Sequence, residues 1–277
     1  MSIGVIARLT LREAVRRKVL WGLLILSAIF LLLYTLGLVF INSELATSGP
    51  VPDRIGGVRT VYNFLMMSGL YAANFLIVML AVLISVDTVA GEIGSGTVQS
   101  IAVKPLARRD ILIGKWLGFV ILLAMSTLLL VGGVMLMTLL ITGYFPPNGL
   151  SGLASMFLEA LVLLSASLLG GTRLSTLANG VFGFGLFGLA FIGGWIEQIG
   201  GYISSSTAQS IGHLASLLMP SEALWRRALG EMSEGMNPFK FMFAGTQTPD
   251  AGIWLYALAY AGVLLMVAMG SFQRRDL

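Results

Sequence analysis

Few residues in this chain have the type and setting to do chemistry, and Glu159 is the foremost. It lies several residues from either end of an apolar run at 150–171. A carboxyl inside lipid is costly unless it faces a bundle interior or a partner. Two roles fit: a group on a substrate or proton pathway, or a neutral side chain hydrogen-bonded to Ser or Thr of a neighbouring helix. Asp87 and Glu197 fall at the ends of apolar runs, where water reaches them, whereas Asn74 and Asn179 lie inside runs and are expected to bond between helices. With no Cys and a single His, His213, thiol chemistry, disulfides and the usual zinc or haem sites are excluded, and no metal is expected. The 14 Met are scattered rather than clustered, unlike a copper-binding ladder. A phosphate-cradling loop needs Gly-x-x-x-x-Gly-Lys-[Ser/Thr]. Gly114-Lys115 lacks the earlier Gly and is followed by Trp116, so neither a nucleotide site nor a catalytic residue is expected.

The most specific spacing lies at 87–115. Gly94 and Gly96 let the backbone turn sharply, and Thr97 is placed to cap a short helix carrying Val98, Ile101 and Ala102 on one side. Pro105 ends that helix at Lys104, because a proline disfavours helical geometry in the residue before it. A second helix start follows at Arg109-Asp110. Two readings remain open: a short, partly apolar helix that plugs into a groove on a partner, or an ordinary polar loop. Lys115 and Trp116 read as an interfacial anchor, with the ammonium among headgroups and the indole at the boundary.

The elements that must position these residues follow from composition. Of 277 residues, 57% are hydrophobic and 11% charged, and the mean hydropathy is +0.91. Soluble domains carry about 25% charged residues, so the expected solvent is a bilayer. No dense basic face suits nucleic acid. Six apolar runs, at about 19–41, 63–86, 116–142, 150–171, 174–196 and 251–270, each reach the roughly 20 residues a helix needs to cross ~30 Å of hydrocarbon. They are continuous rather than alternating, which favours helices over a barrel. The expected fold is an all-α membrane protein: an interfacial segment at 1–18, then one six-span domain over 19–277.

Twelve of the Lys and Arg residues fall on the side of the N-terminus and five on the other, which places both termini in the cytoplasm. The run at 19–41 is too long for a cleavable signal peptide. Before it, Arg8, Arg12 and Arg16 share one helical face, and Ile3, Ile6, Ala7, Leu11 and Ala14 lie roughly opposite. That pattern suits either a helix lying on anionic headgroups or a frayed basic anchor. The glycines of the fifth span, among them Gly183, Gly185, Gly188, Gly193 and Gly194, spread around the helix. They therefore indicate crowding on several sides or local flexibility rather than a single dimer seam. The segment 197–250 alternates apolar stretches with breakers at Pro220, Gly230 and Pro238. It reads as short amphipathic helices on the outer leaflet or as an outer loop with no transport role. Leu214, Leu217 and Leu218 form a possible apolar face, and the lone His213 reads as a surface or packing residue.

The pattern Glu92-x-x-x-Gly96-Thr97, then Pro105-x-x-Arg108, then Gly114-Lys115-x-x-Gly118 resembles the signature of ABC transporter permeases of the type-2 exporter class. The ending Phe272-x-Arg274-Arg275-Asp276-Leu277 and the basic N-terminus, which matches their elbow helix, extend the resemblance. The large last outer segment is similar to permeases of the copper-enzyme-maturation type, such as that of the nitrous-oxide-reductase system. This resemblance implies a prokaryotic cytoplasmic-membrane subunit that pairs with a second permease copy and with two cytoplasmic ATPases, which would hold the ATP and Mg. The stretch from Glu92 through Gly96, Thr97, Ile101, Lys104 and Pro105 to Arg108 would be the coupling helix, with Glu92 and Arg108 fixing or docking it. A periplasmic or extracellular partner is also compatible. Two rival functions stay open: an ion-coupled carrier protonated at Glu159, for which no convincing internal repeat is found, and a mechanotransmission or assembly subunit that moves no substrate itself.

Overall fold

The computed structural model describes residues 3–16, 18–47, 57–94, 108–233 and 249–273. Among them are nine helices and no strand: α1 (Ile3–Arg16), α2 (Lys18–Thr47), α3 (Gly57–Gly94), α4 (Arg108–Thr142), α5 (Gly149–Gly171), α6 (Thr176–Tyr202), α7 (Ser206–Leu218), α8 (Ser221–Met232) and α9 (Gly252–Gln273). Six of these, α2, α3, α4, α5, α6 and α9, are long and apolar enough to cross a membrane. They run further than hydropathy suggested. The 38 residues of α3 extend about 57 Å, well beyond the ~30 Å of hydrocarbon. Hydropathy detects only the part of a helix that lipid requires to be apolar, whereas backbone hydrogen bonding continues into water. The segment expected to begin at residue 87 is accordingly still helical through Gly94, and α6 continues past the expected end at 196 to Tyr202.

α5 is the centre of the bundle. Met156, Ala160 and the stretch Val162, Leu163 and Leu164 are fully buried, and α3, α4, α6, α8 and α9 all pack on it. A helix apolar on every side must be enclosed by others, and the small residues of α5 let them close in. α2 lies at the periphery: Ile25, Leu32, Leu33, Leu36 and Phe40 are exposed, as suits a lipid-facing surface. It is tied inward where Tyr34 and Thr138 share a hydrogen bond of 2.7 Å and where Tyr62 donates to Asn42 at 2.6 Å.

Alternation of the spans puts α1, the start of α4, the turn at 172–175 and the end of α9 at one end of the bundle. Thr172 and Arg173 both contact the Ser271 hydroxyl there, at 3.0 Å. The opposite end carries the 143–148 turn and the α7–α8 pair, and Asn63 there donates to Tyr144 and to the Met232 carbonyl.

The glycines of α6 resolve into two groups. A Cβ at Gly183 would press on Val82 of α3, and one at Gly193 would strike Ala215 of α7, so these positions are crowded by different neighbours. Gly185 and Gly188 face open space. α7 packs on α6 by its small face, with Gly212 and Ser216 buried, and turns Ile211, Leu214, Leu217 and Leu218 outward. A Cβ at Gly212 would run into Glu197 and the Gly193 carbonyl, so Gly212→Val is expected to destabilise by about 1–3 kcal/mol through overpacking. Thermal unfolding of the purified variant checks this, and an unchanged midpoint would show that α7 does not depend on the close approach.

Candidate functional site

Among the described residues two Glu carboxyls are buried in the bundle: Glu222 lines a cavity, and Glu159 is bonded to Asn74, which lines the same cavity. Glu159 of α5 is 0% exposed. Its Oε1 accepts from Asn74 Nδ2 of α3 at 3.2 Å, while its Oε2 and the Asn74 Oδ1 are buried and find no hydrogen-bond partner among the described residues. The expected partner class was Ser or Thr; the structure supplies an amide instead. Asn179 behaves as anticipated, bridging helices by donating to the Ser167 carbonyl at 2.9 Å.

Glu222, in the first turn of α8, is 4% exposed. Burial pushes its carboxyl up to about 8; Arg226 one turn on pulls it back, and Glu197 of α6 adds to the rise. Arg226 does not form an ion pair with it. The guanidinium donates to Glu197 Oε2 at 2.8 Å, and Ser216 of α7 lies 3.5 Å from the same oxygen, so α6, α7 and α8 are joined at one polar node. Glu222 fits against α6 because residue 194 is a glycine: a Cβ there would collide with the Glu222 side chain. At the other end of α8, Arg227 bonds Glu231 and the Pro249 carbonyl and lies 5.0 Å over the Trp254 ring.

Between α3, α6 and α8 opens a cavity of about 350 Å³, lined by Tyr71, Asn74, Phe75, Phe187, Phe191, Glu222 and Trp225. Tyr71 and Trp225 meet edge to face with centroids 5.5 Å apart. Five aromatic rings thus surround an amide and a carboxyl. Of these residues, sequence reasoning had singled out only Asn74. Phe187 and Phe191, one turn apart on α6, and Tyr71, Asn74 and Phe75 on α3 carry a helical spacing that marks a shared face, but nothing local tells that the two faces meet.

At the other end, α1 lies across the start of α4. Ile6, Ala7, Thr10 and Ala14 are buried, and added Cβ atoms at Gly114 and Gly118 would strike Ile6 and Thr10. Arg8, Arg12 and Arg16 are exposed and, with Leu11, edge a shallow groove. Lys115, read from sequence with Trp116 as an interfacial anchor, is only 7% exposed, and the Trp116 indole donates to Ser165 of α5 at 3.1 Å. Of the remaining expected site residues, Gly96, Thr97, Ile101, Lys104 and Pro105 lie outside the described residues, as do the side chains of Glu92 and Arg108. The backbone is helical at 92–94 and again from Arg108. His213 is exposed on α7, and no cluster of three or more metal-ligating side chains occurs among the described residues.

Residues 5–277 match the family described as ABC-2 family transporter protein. The chain belongs to that family. Two relatives carry the description "Probable ABC transporter permease protein NosY": one from Pseudomonas aeruginosa is 25% identical, covering 99% of each chain. The other, from Stutzerimonas stutzeri, is 28% identical, covering 73% of this chain and 77% of its own. With its six apolar helices, this protein is a multi-pass membrane subunit of ABC-transporter type, and in this family ATPase activity lies in a partner.

The raised Glu222 carboxyl makes the permease sensitive to pH. The folded state holds this proton more tightly than the unfolded chain, where the group titrates near 4.5. Its contribution to stability is therefore greatest below about pH 4.5 and declines as the pH climbs toward about 8. Melting temperatures recorded from pH 5 to 8 are expected to fall, and Glu222→Gln should flatten that slope; equal slopes in both proteins would contradict the assignment.

Proposed function

We propose that this permease is the membrane half of an ATP-driven transporter, moved by cytoplasmic ATPase subunits and paired with a second permease copy. The observation that carries this reading is the family match over nearly the whole chain, residues 5–277. The relatives named as permeases, aligned over most of their length, support it.

In this reading both termini face the cytoplasm, which puts the basic end of the bundle (Arg8, Arg12, Arg16, Arg109 and Arg173) on the inner side. The α7–α8 pair then faces outward. ATP and Mg bind in the partner. Residues 92–104 are, in this reading, the coupling segment that receives ATPase motion, Glu92 and Arg108 fix or dock it, and α3 and α4 carry the displacement into the bundle as continuous helices. α1 acts as the elbow helix, its arginines against anionic headgroups. Membrane permeases named NosY share this chain's length, and an extracytoplasmic partner above α7 and α8 is compatible with the same mechanics. An ion-coupled carrier has only the burial of Glu159 in its favour.

Purification of the chain from its native host should bring down a nucleotide-binding protein. In the reconstituted complex, Glu92→Ala is expected to lower transport-coupled ATPase activity by about tenfold, the loss of one charge-assisted contact of ~1.5 kcal/mol, with membrane insertion intact. Unchanged coupling would remove Glu92 from the proposed role, and transport driven by a proton gradient through the chain alone would overturn the reading as a whole.

A further inference from the structure

The cavity between α3, α6 and α8 is unusual in its balance of donors and acceptors. Its polar wall consists of Asn74 and Glu222, and Glu159 stands directly behind Asn74. In that wall Asn74 Oδ1 is buried without a partner among the described residues, and an amide oxygen accepts hydrogen bonds. The nearest cation, Arg226, directs its guanidinium to Glu197. The remaining wall is aromatic, and ring faces carry negative quadrupolar charge that attracts cations. An apolar ligand would leave the Asn74 Oδ1 acceptor unsatisfied, and an anion would meet the Glu222 carboxyl. What satisfies both walls is a positively charged N–H donor on an apolar body. The volume, about 350 Å³, stands at the small end of the ~300–1,000 Å³ typical of ligand sites.

We propose that this cavity binds a small protonated amine, its N–H groups donating to Glu222 and Asn74 and its apolar body packed against Phe75, Phe187 and Phe191. The site deepens the permease reading by naming a ligand class, but binding itself requires no ATPase. Glu222 is faced by Arg226 on its own helix and by Glu197 of α6, with the titratable side chains of Tyr71 and Glu159 further off on α3 and α5. Because burial holds its proton, a cation entering the cavity releases that proton to solvent, and the amine binds more tightly as the pH rises toward about 8. The pair thus works as an exchange of one proton for one ammonium.

The test uses 2-phenylethylammonium as the probe, with 2-phenylethanol and 3-phenylpropionate as its neutral and anionic counterparts, on the purified full-length chain. Saturable binding, read by calorimetry and by the shift in melting temperature, is expected for the amine, with much weaker responses to the other two. Glu222→Gln and Phe187→Ala should each weaken the amine by at least about tenfold, the size of one desolvated cation–aromatic or charge contact. Affinity should also rise between pH 6 and 8.5 in the wild type and not in Glu222→Gln. Absence of saturable amine binding, equal affinity for the alcohol, or wild-type affinity in Glu222→Gln would each overturn the proposal. If Glu222→Gln does not fold, Asn74→Leu takes its place, and undiminished binding there has the same force. Failure of this test leaves ATPase coupling through Glu92 untouched, and failure of that coupling leaves amine binding untouched.

Discussion

In a bilayer no water reaches a backbone or side-chain polar group, so each must be satisfied by the protein itself. The bundle meets most of that constraint around α5, with Asn74 Oδ1, Glu159 Oε2 and Ser167 Oγ left without a partner among the described residues. Five helices pack on α5, and Ser155 and Ser165 turn their hydroxyls to its own backbone, Ser165 to Leu161 at 2.9 Å, while also receiving donors from outside. Trp116 reaches Ser165 from α4, and Trp254 reaches Ser155 from α9 at 2.9 Å. Each bond joins a peripheral helix to the centre at a polar point where misalignment would strand a donor in lipid. Apolar packing alone supplies no such register between helices, since lipid tails are as apolar as leucine. The polar contacts fix which face of each helix points inward.

The same constraint explains why the candidate site lies where it does. Glu159 and Glu222 come from helices of different character, one a central span and the other a short helix wedged among spans. Asn74 of α3 links them, bonding Glu159 and lining the cavity together with Glu222. α8 reaches that depth through absent side chains on its neighbours. Gly152 of α5 leaves room for Met232, and Gly194 of α6 leaves room for Glu222. Arg226, which would otherwise neutralise the carboxyl, is occupied by Glu197. The electrostatic character of the cavity is therefore set by an ion pair outside it.

Much of this architecture was legible in the residues alone. The six spans, the amphipathic face of α1 and the interhelical roles of Asn74 and Asn179 follow from periodicity and from the cost of polar groups in lipid, which are local rules. The burial of Glu222 was not legible. Ser221-Glu-Ala-Leu-Trp-Arg-Arg lies in the segment 197–250, whose pattern reads as short amphipathic helices on the outer leaflet or an outer loop, and nothing in it marks a helix sunk among the spans. Its depth depends on Gly152 and Gly194, about 70 and 28 residues earlier in the chain, and no window of sequence contains all three. The close packing of α1 on α4 was equally illegible, since nothing local marks Gly114 and Gly118 as the positions that admit Ile6 and Thr10.

That seat of α1 on α4 has a mechanical meaning. At Gly114 and Gly118 the two helices touch backbone to side chain, too closely for one to slide without the other. A displacement of the first turns of α4 carries the three exposed arginines with it. With α1 lying on anionic headgroups, as proposed, work done on the bundle from that end would be done partly against the lipid surface, and the fraction of acidic phospholipid in the leaflet would become a variable of the machine.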